Sequence, residues 1–466
     1  MSHFRSKPFR KGSGARNGNS RTAEKISSAS MMGRQRLDLS VDWTTAVRAV
    51  RSAQAYANGL DVRSLVPCPV PGMQPCHAAS HDTGGCMTTR QSICGRDPLS
   101  GEFVEVTAEN GAIQSIDSRV SGDDLWLSPG FIDLQVNGYA GCDLNGETVA
   151  PDVVIALMHK LFALGVTTFV PTIITASEDR IIAALRAIGE ARIRSPFARH
   201  AIPFVHIEGP HLSAADGPRG AHPRDDIRPP DIAEFERWQA ASDGLVGMVT
   251  LSPHWDAALP YIAHLASRGC RVAIGHTDAE TSRIHAAAEA GAVLSTHLGN
   301  GVADALPRHP NLLWAQLADG RLTASFIADG HHLPGDTLKA MLRAKGTERC
   351  VLISDAVALA GMPPGVYETS VGGTVELTAE GRIGIPGTPW LAGAGLTLPS
   401  CISTVAGLSG FSLGDAVRMA TENPGRFVGG RGVLRVGIDA DLVQFRWRRP
   451  GDEIQAVNVL VRGEAP

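Results

Sequence analysis

Residues 271–297 read Arg271-Val-Ala-Ile-Gly-His276-Thr-Asp-Ala-Glu-Thr281-Ser-Arg-Ile-His-Ala-Ala-Ala-Glu-Ala290-Gly-Ala-Val-Leu-Ser-Thr-His297. An apolar run of strand length meets a histidine at a turn. An alanine-rich segment follows with an apolar stripe at helical spacing, and a second apolar run ends in another histidine. This is a β-then-α-then-β unit, the building block of a parallel sheet with helices outside it.

The alternation continues in both directions. Strands are expected at Gly130–Val136, Thr168–Ile174, Pro203–Glu208, Gly247–Leu251, Arg271–Gly275, Val293–His297, Ala324–Ala328 and Cys350–Ser354. Helices are clearest at Val153–Leu164, Asp179–Arg194, Leu259–Ser267, Thr281–Ala290 and Leu338–Ala344. Eight such units in a row predict an α/β fold, a TIM-like (β/α)8 barrel.

Short alternating runs flank this centre: Phe103–Thr107 and Ala112–Ile116 before it, Thr374–Thr378, Gly432–Val436, Asp441–Phe445 and Val457–Val461 after it. They predict a small β-sandwich built from both ends of the ordered chain. The expected division is residues 88–128 for the first part of the sandwich and 129–365 for the barrel. Residues 366–400 would hold sandwich strands and a lid, 401–430 the C-terminal helices (one capped by Ser412), and 431–466 the last sandwich strands.

Residues 1–86 read differently. Arg5, Lys7, Arg10, Lys11, Arg16, Arg21 and Lys25 punctuate a Ser/Gly/Asn-rich stretch with little to bury, the composition of a disordered basic extension. A short helix over 44–57 is compatible with the pattern. Cys68, Cys76, His77, His81 and Cys86 match no paired-cysteine metal spacing. A start near Met87 would lose nothing structural. The basic opening leads into no apolar leader and no window reaches ~20 apolar residues, so a cytoplasmic protein without a membrane span is expected. A net charge of −4 over 466 residues gives no reason to expect nucleic acid at the main body. Cys270 and Cys350 open apolar runs and read as buried thiols.

In a barrel, chemistry comes from the C-terminal ends of several strands. Glu208 ends the third candidate strand, His276 follows the fifth, His297 ends the sixth and Asp355 follows the eighth. One carboxylate and two imidazoles suit a mononuclear catalytic metal, which leaves a coordination position open. A zinc-like ion on Glu208, His276 and His297 would lower the pKa of its bound water to about 7. Asp355 would then act as general base and acid, with His332 a candidate donor to the developing oxyanion. Gln135 and Asn137 share the inward parity of the first strand. Amides are weak zinc ligands, so one metal is expected, with these two as candidate water-orienting residues. His206 could support the metal, His211 and His222 flank the loop after the third strand, and His254 could face the site.

Pro129-Gly-Phe-Ile-Asp-Leu-Gln-Val-Asn-Gly138, His206-Ile-Glu-Gly-Pro-His-Leu212 with Gly220-Ala-His222, Gly275-His-Thr-Asp-Ala279, Thr296-His-Leu-Gly-Asn300, Ile327-Ala-Asp-Gly-His-His332 and Ser354-Asp-Ala356 recur in one order. The chain, from about residue 88 onward, resembles the N-acetylglucosamine-6-phosphate deacetylase family of the amidohydrolase superfamily. The resemblance implies metal-dependent release of acetate from an N-acetylated amino sugar phosphate. It also implies one divalent ion per subunit (zinc, with iron or manganese compatible) and a homodimer. By position it makes Glu208, His276 and His297 the metal ligands and Asp355 the catalytic acid/base. Ala221, His222, Asn300, Gly301 and His332 become substrate-binding, with Leu391, Ala392, Gly393 and Ala394 a lid over the sugar. Arg308 matches the arginine that reaches the phosphate from the neighbouring subunit. The chain departs from the family pattern at Gly299–Val302, His309–Asn311 and Ala394–Gly395, all around the sugar phosphate rather than the metal. The alternatives are an amidohydrolase for another N-acyl substrate, such as an N-acyl amino acid or an unphosphorylated N-acetyl sugar, and a non-catalytic sugar-binding barrel.

Overall fold

The computed structural model describes residues 90–466 apart from 370, 371 and 389. The expected basic extension, the 44–57 helix and the early Cys/His group lie outside the described residues. Eight parallel strands form one sheet: β1 (Phe131–Val136), β2 (Val166–Ile174), β3 (Val205–Glu208), β4 (Val246–Leu251), β5 (Arg271–Ile274), β6 (Ala292–Ser295), β7 (Thr323–Ile327) and β8 (Cys350–Ile353). Each pairs with its sequence neighbours, so the spatial order is the chain order. The barrel expected from the alternation is present, with boundaries shifted by a residue or two.

The ring shuts by a narrower seam. At the end of β1 and just past β8, Val136 and Ala356 form a parallel bridge, and the Asp355 N–H donates to the Gln135 carbonyl at 3.0 Å. Below it the Ser354 N–H donates to the Asp133 carboxylate at 3.2 Å, a side chain standing in for a missing ladder partner. Burial pushes the Asp133 carboxyl up to about 7.

Alternate residues on each strand go to different places. Val205, Ile207, Val249, Leu251, Val272 and Ile274 pack outward against the helices in the main core. Phe204, Met248, Ala273, Leu294 and Val351 fill the barrel interior as an apolar floor. Above that floor His206 Nε2 lies 2.7 Å from Thr250 Oγ1, which lies 2.7 Å from Thr296 Oγ1. Glu208, His276 and His297 come one step higher, at the barrel mouth. Layered filling of this kind makes the interior a solid support rather than a pore.

The helices follow local signals. Thr281–Ala290 stops at Gly291 in a left-handed conformation (φ 119°), where a Cβ would sit 2.7 Å from the Ala266 side chain. Leu413–Met419 starts with a capping box between Ser412 and Asp415. Pro196–Ala201, Ile232–Ser242, Leu312–Ala318 and Leu398–Gly407 are helices that periodicity did not single out. Leu312–Ala318 depends on remote help. Asn311 caps its start, while buried Lys345 donates to the Gln316 and Asp319 carbonyls at 2.8 and 2.9 Å and ends it.

A second, mainly antiparallel sheet draws on both ends of the described chain. Its order is Gln455–Leu460, Leu442–Arg446, Trp126–Pro129, Arg90–Arg96, Phe103–Glu109 and Ala112–Arg119. Two expected strands are elsewhere. Gly432–Val436 is irregular and joins no ladder; Gly432 sits at φ 79°, where a Cβ would be 2.3 Å from the Thr421 carbonyl. The strand expected at Thr374–Thr378 is Gly373–Leu377 and belongs to a separate four-stranded sheet, with Gly365–Thr369, Arg382–Gly384 and Leu391–Ala394. The register of that sheet ties it to the barrel seam instead, through a bridge from Ala394 to Ala356. Cys270 and Cys350 are buried free thiols, pushed up to about 12 by burial. No helix among the described residues is long and apolar enough to cross a membrane.

Candidate active site

A cleft of about 790 Å³ opens at the C-terminal ends of the barrel strands, walled on one side by the four-stranded sheet. Glu208, His276, His297 and Asp355 all line it. His276, His297 and Asp355 adopt positive φ (49°, 28° and 51°), a strained setting that non-glycine residues keep only where surrounding contacts enforce it. Each stands just past a strand end, where the left-handed turn aims its side chain across the barrel mouth.

The donors converge closely. Glu208 Oε1 lies 2.8 Å from His297 Nε2 and 3.4 Å from His276 Nε2, and the two imidazole nitrogens are 3.1 Å apart. Ligands bound at about 2.0–2.1 Å around a tetrahedral ion would be about 3.3 Å apart, so this spacing fits a shared cation. The tautomers agree. His276 Nδ1–H donates to the Pro218 carbonyl at 2.8 Å, which leaves the Nε2 lone pair facing inward. His222 Nδ1–H donates to Thr175 Oγ1 at 2.9 Å, whose own proton goes to the Glu208 carbonyl. The freed Nε2 of His222 lies 3.2 Å from that of His276. Two buried lone pairs facing each other call for a cation between or beside them. Glu208, His222 and His276 offer ligand atoms all within 4.8 Å of one another, so His222, read from sequence as a substrate contact, also stands in the donor cluster. Gly301 lies against this cluster: at φ 59°, a Cβ there would be 2.6 Å from His276 Nδ1.

Burial opposes ionisation of Glu208, yet the neighbouring His276 and His297 imidazoles outweigh it and hold the carboxyl well below the usual range. Burial, then the charge of Glu208, pushes Asp355 up to about 6, close to where a proton shuttle works best. Burial and the neighbouring His276 depress His222 to about 3.

Gln135 and Asn137 serve the carboxylates directly. Gln135 Nε2 donates to Glu208 Oε1 at 3.0 Å, and Asn137 Nδ2 donates to Asp355 Oδ1 at 2.7 Å. His332 is oriented by a residue the motif reading left without a role. Asp329 accepts from His332 Nδ1 at 2.7 Å and from two backbone N–H groups at 2.9 Å, leaving Nε2 for the cleft. The i, i+3 spacing in Asp329-Gly-His-His332 was the available signal.

Ala221, His222, Asn300, Gly301, His332, Leu391, Ala392 and Gly393 line the cleft as expected positions would. Ala394, the last residue of the lid strand, is buried and outside the cleft lining. Arg308 is exposed and outside the cleft lining of its own chain. His206 lies in the layer below, bonded to Thr250. His211 is buried between Trp238 and Tyr261, and His254 bonds Ser252 and stacks near Trp255, both away from the cleft.

Residues 126–463 match the family model described as Amidohydrolase family. The chain belongs to the amidohydrolase family. The N-acetylgalactosamine-6-phosphate deacetylase of Escherichia coli O157:H7 is 36% identical over 332 residues, 69% of this chain and 84% of that protein. The N-acetylglucosamine-6-phosphate deacetylase of Bacillus subtilis (strain 168) is 32% identical over 326 residues, 69% of this chain and 80% of its own length. Among solved structures, a point mutant of N-acetyl-D-glucosamine-6-phosphate deacetylase from Mycobacterium smegmatis, in complex with N-acetyl-D-glucosamine-6-phosphate, superposes with a TM-score of 0.72. It is 27% identical and covers 81% of this chain and 99% of that one. Amidohydrolases are metal-dependent, and the Glu/His donor cluster is the matching candidate site here.

Proposed function

We propose that this amidohydrolase removes the acetyl group from an N-acetylated hexosamine 6-phosphate, releasing acetate and the free amino sugar phosphate. One observation carries the reading: the Glu208–His276–His297 donor cluster and Asp355 face a single cleft, close enough for the Glu208 charge to act on Asp355. Glu208, His276 and His297 would hold the cation, since their donor atoms are mutually within 3.4 Å. Zinc suits this donor set, and iron or manganese fit it as well. When bound, the ion acidifies the attacking water and polarises the amide carbonyl.

The protein's own groups supply the rest. The Asp355 carboxylate takes the proton of the water whose oxygen bonds to the carbonyl carbon. His332, held through Nδ1 by Asp329, presents Nε2 to the carbonyl oxygen where charge builds. Asp355 passes its proton to the nitrogen, the C–N bond breaks, and acetate leaves with the amine. Asn137 keeps Asp355 aimed throughout. A non-catalytic barrel would have no use for an acid/base beside a donor cluster.

The relatives named above include enzymes for both 4-epimers, N-acetylgalactosamine and N-acetylglucosamine 6-phosphates. Acetate release from each, with and without the 6-phosphate, in protein of measured metal content tests the reading. No acetate from any of these sugars would overturn it. Phosphorylated sugars carry charge and do not cross membranes unaided, so the substrate class fits a cytoplasmic enzyme. A homodimer remains the expected assembly, tested by sedimentation.

A further inference from the structure

Resting on the deacetylase reading, we propose that Asp133 is a positioning residue for the reaction, closing the barrel at the height of the site and thereby fixing Asp355. Asp133 takes no part in the proton transfers, yet it is a buried carboxylate. No arginine, lysine or histidine among the described residues pairs with it. Such a group is costly to bury, so the reason to keep it lies in what its oxygens accept.

β1 and β8 are the two ends of the barrel sheet and share no ladder. Low in the seam, residues 420–423 bridge them instead. The Ile132 N–H donates to the Ala420 carbonyl at 2.8 Å, and Asn423 Nδ2 donates to the Cys350 carbonyl at 2.7 Å. Among the described residues, direct bonds across the seam begin at Asp133. Its Oδ1 accepts from the Ser354 N–H at 3.2 Å and from the Gln135 N–H at 3.3 Å, with Oδ2 also 3.3 Å from the Ser354 nitrogen. Above it the Asn137 and Gly138 N–H groups donate to the Ala356 carbonyl at 2.9 and 3.0 Å. Direct closure is thus confined to the layer that carries the chemistry.

Both backbone groups that Asp133 holds lead to the acid/base. Ser354 is the residue before Asp355, and the Gln135 carbonyl accepts the Asp355 N–H at 3.0 Å. Asp355 itself sits at φ 51°, a strained setting that only its surroundings can enforce. Asparagine at 133 would keep one acceptor oxygen but turn an amide N–H toward a backbone N–H. One of the two anchors is then lost, and the turn at 355 gains a freedom it now lacks.

The test places Asp133→Asn in wild-type and Asp355→Asn backgrounds, in metal-loaded protein. Alone, it should lower kcat for N-acetylglucosamine 6-phosphate by at least about tenfold, with KM within about twofold and metal content at the wild-type level. On top of Asp355→Asn it should cost less than about twofold of the residual turnover, because the group it positions is already gone. Amide exchange gives a readout without turnover: residues 354–356 should exchange at least about tenfold faster in Asp133→Asn, with Val246–Leu251 unchanged. Wild-type kcat, a change in KM alone, a full tenfold loss in the Asp355→Asn background, or unaltered exchange at 354–356 would overturn the proposal. Should Asp133→Asn not fold, Ser354→Ala, which strips only a hydroxyl from the same seam, takes its place with the same pattern expected. If wild-type protein releases no acetate, the deacetylase reading fails by itself, and the exchange comparison still decides Asp133.

Discussion

Asn137 Nδ2 donates to Asp355 Oδ1 at 2.7 Å across 218 residues of sequence, joining the end of the first barrel strand to the residue after the last. The same amide reaches the Asp355 backbone carbonyl at 3.3 Å, so it fixes both the side chain and the strained backbone that carries it. A catalytic carboxylate held in this way loses little time in unproductive rotamers.

Replacing Asn137 with Ala removes a charge-assisted hydrogen bond of about 1.5–3 kcal/mol, so kcat should fall by about tenfold to a hundredfold. Metal content should stay at the wild-type level. Asp355→Asn should keep the metal as well and lose nearly all turnover. Wild-type kcat in either variant, at full metal occupancy, would refute the roles given to this pair.

Stripping the cation with a chelator should abolish acetate release, and restoring zinc, iron or manganese should recover it. The imidazoles separate by stoichiometry. His297→Ala and His276→Ala should each lower the bound metal well below one per chain, because each removes a donor within 3.4 Å of Glu208 Oε1. His222→Ala should retain most of the metal and lose turnover, since His222 is within hydrogen-bonding range of His276 alone in the cluster. A metal-free His222→Ala protein alongside a fully loaded His297→Ala protein would reverse the assignment.

Gly301 has no room to change. Alanine there would need a left-handed backbone, costing about 1–2 kcal/mol, and would press on His276 Nδ1 at 2.6 Å. Gly301→Ala should weaken metal affinity and lower kcat/KM by at least about tenfold. Wild-type values for both in that variant would show that the loop yields freely.

His211 predicts a pH effect on stability. Burial depresses its pKa from 6.5 to about 4. The unfolded chain therefore binds a proton that the folded chain resists, and stability is lost as pH falls from 6.5 through 4. Across that window the loss attributable to His211 is about 3 kcal/mol. His211→Phe, which can keep the packing against Trp238 and Tyr261, should show a correspondingly shallower decline in denaturant unfolding. Parallel declines in both proteins would remove His211 from the account.

The repeating exchange of apolar runs and helical stripes determined the barrel, because periodicity is written in consecutive residues and needs no distant partner. It also placed Glu208, His276, His297 and Asp355 at strand ends, and topology alone then brings strand ends together. Leu312–Ala318 escaped notice because its stop comes from Lys345, beyond a strand and at the far end of the next helix. Thr374–Thr378 looked like any other strand, since the pattern of one strand does not name the sheet that receives it. Tertiary structure alone decided that Asn137 and Gln135 serve two carboxylates, and that His222 stands among the donors. These are contacts made sideways between strands, set by register and by left-handed turns, and residues far apart along the chain leave no local trace of them.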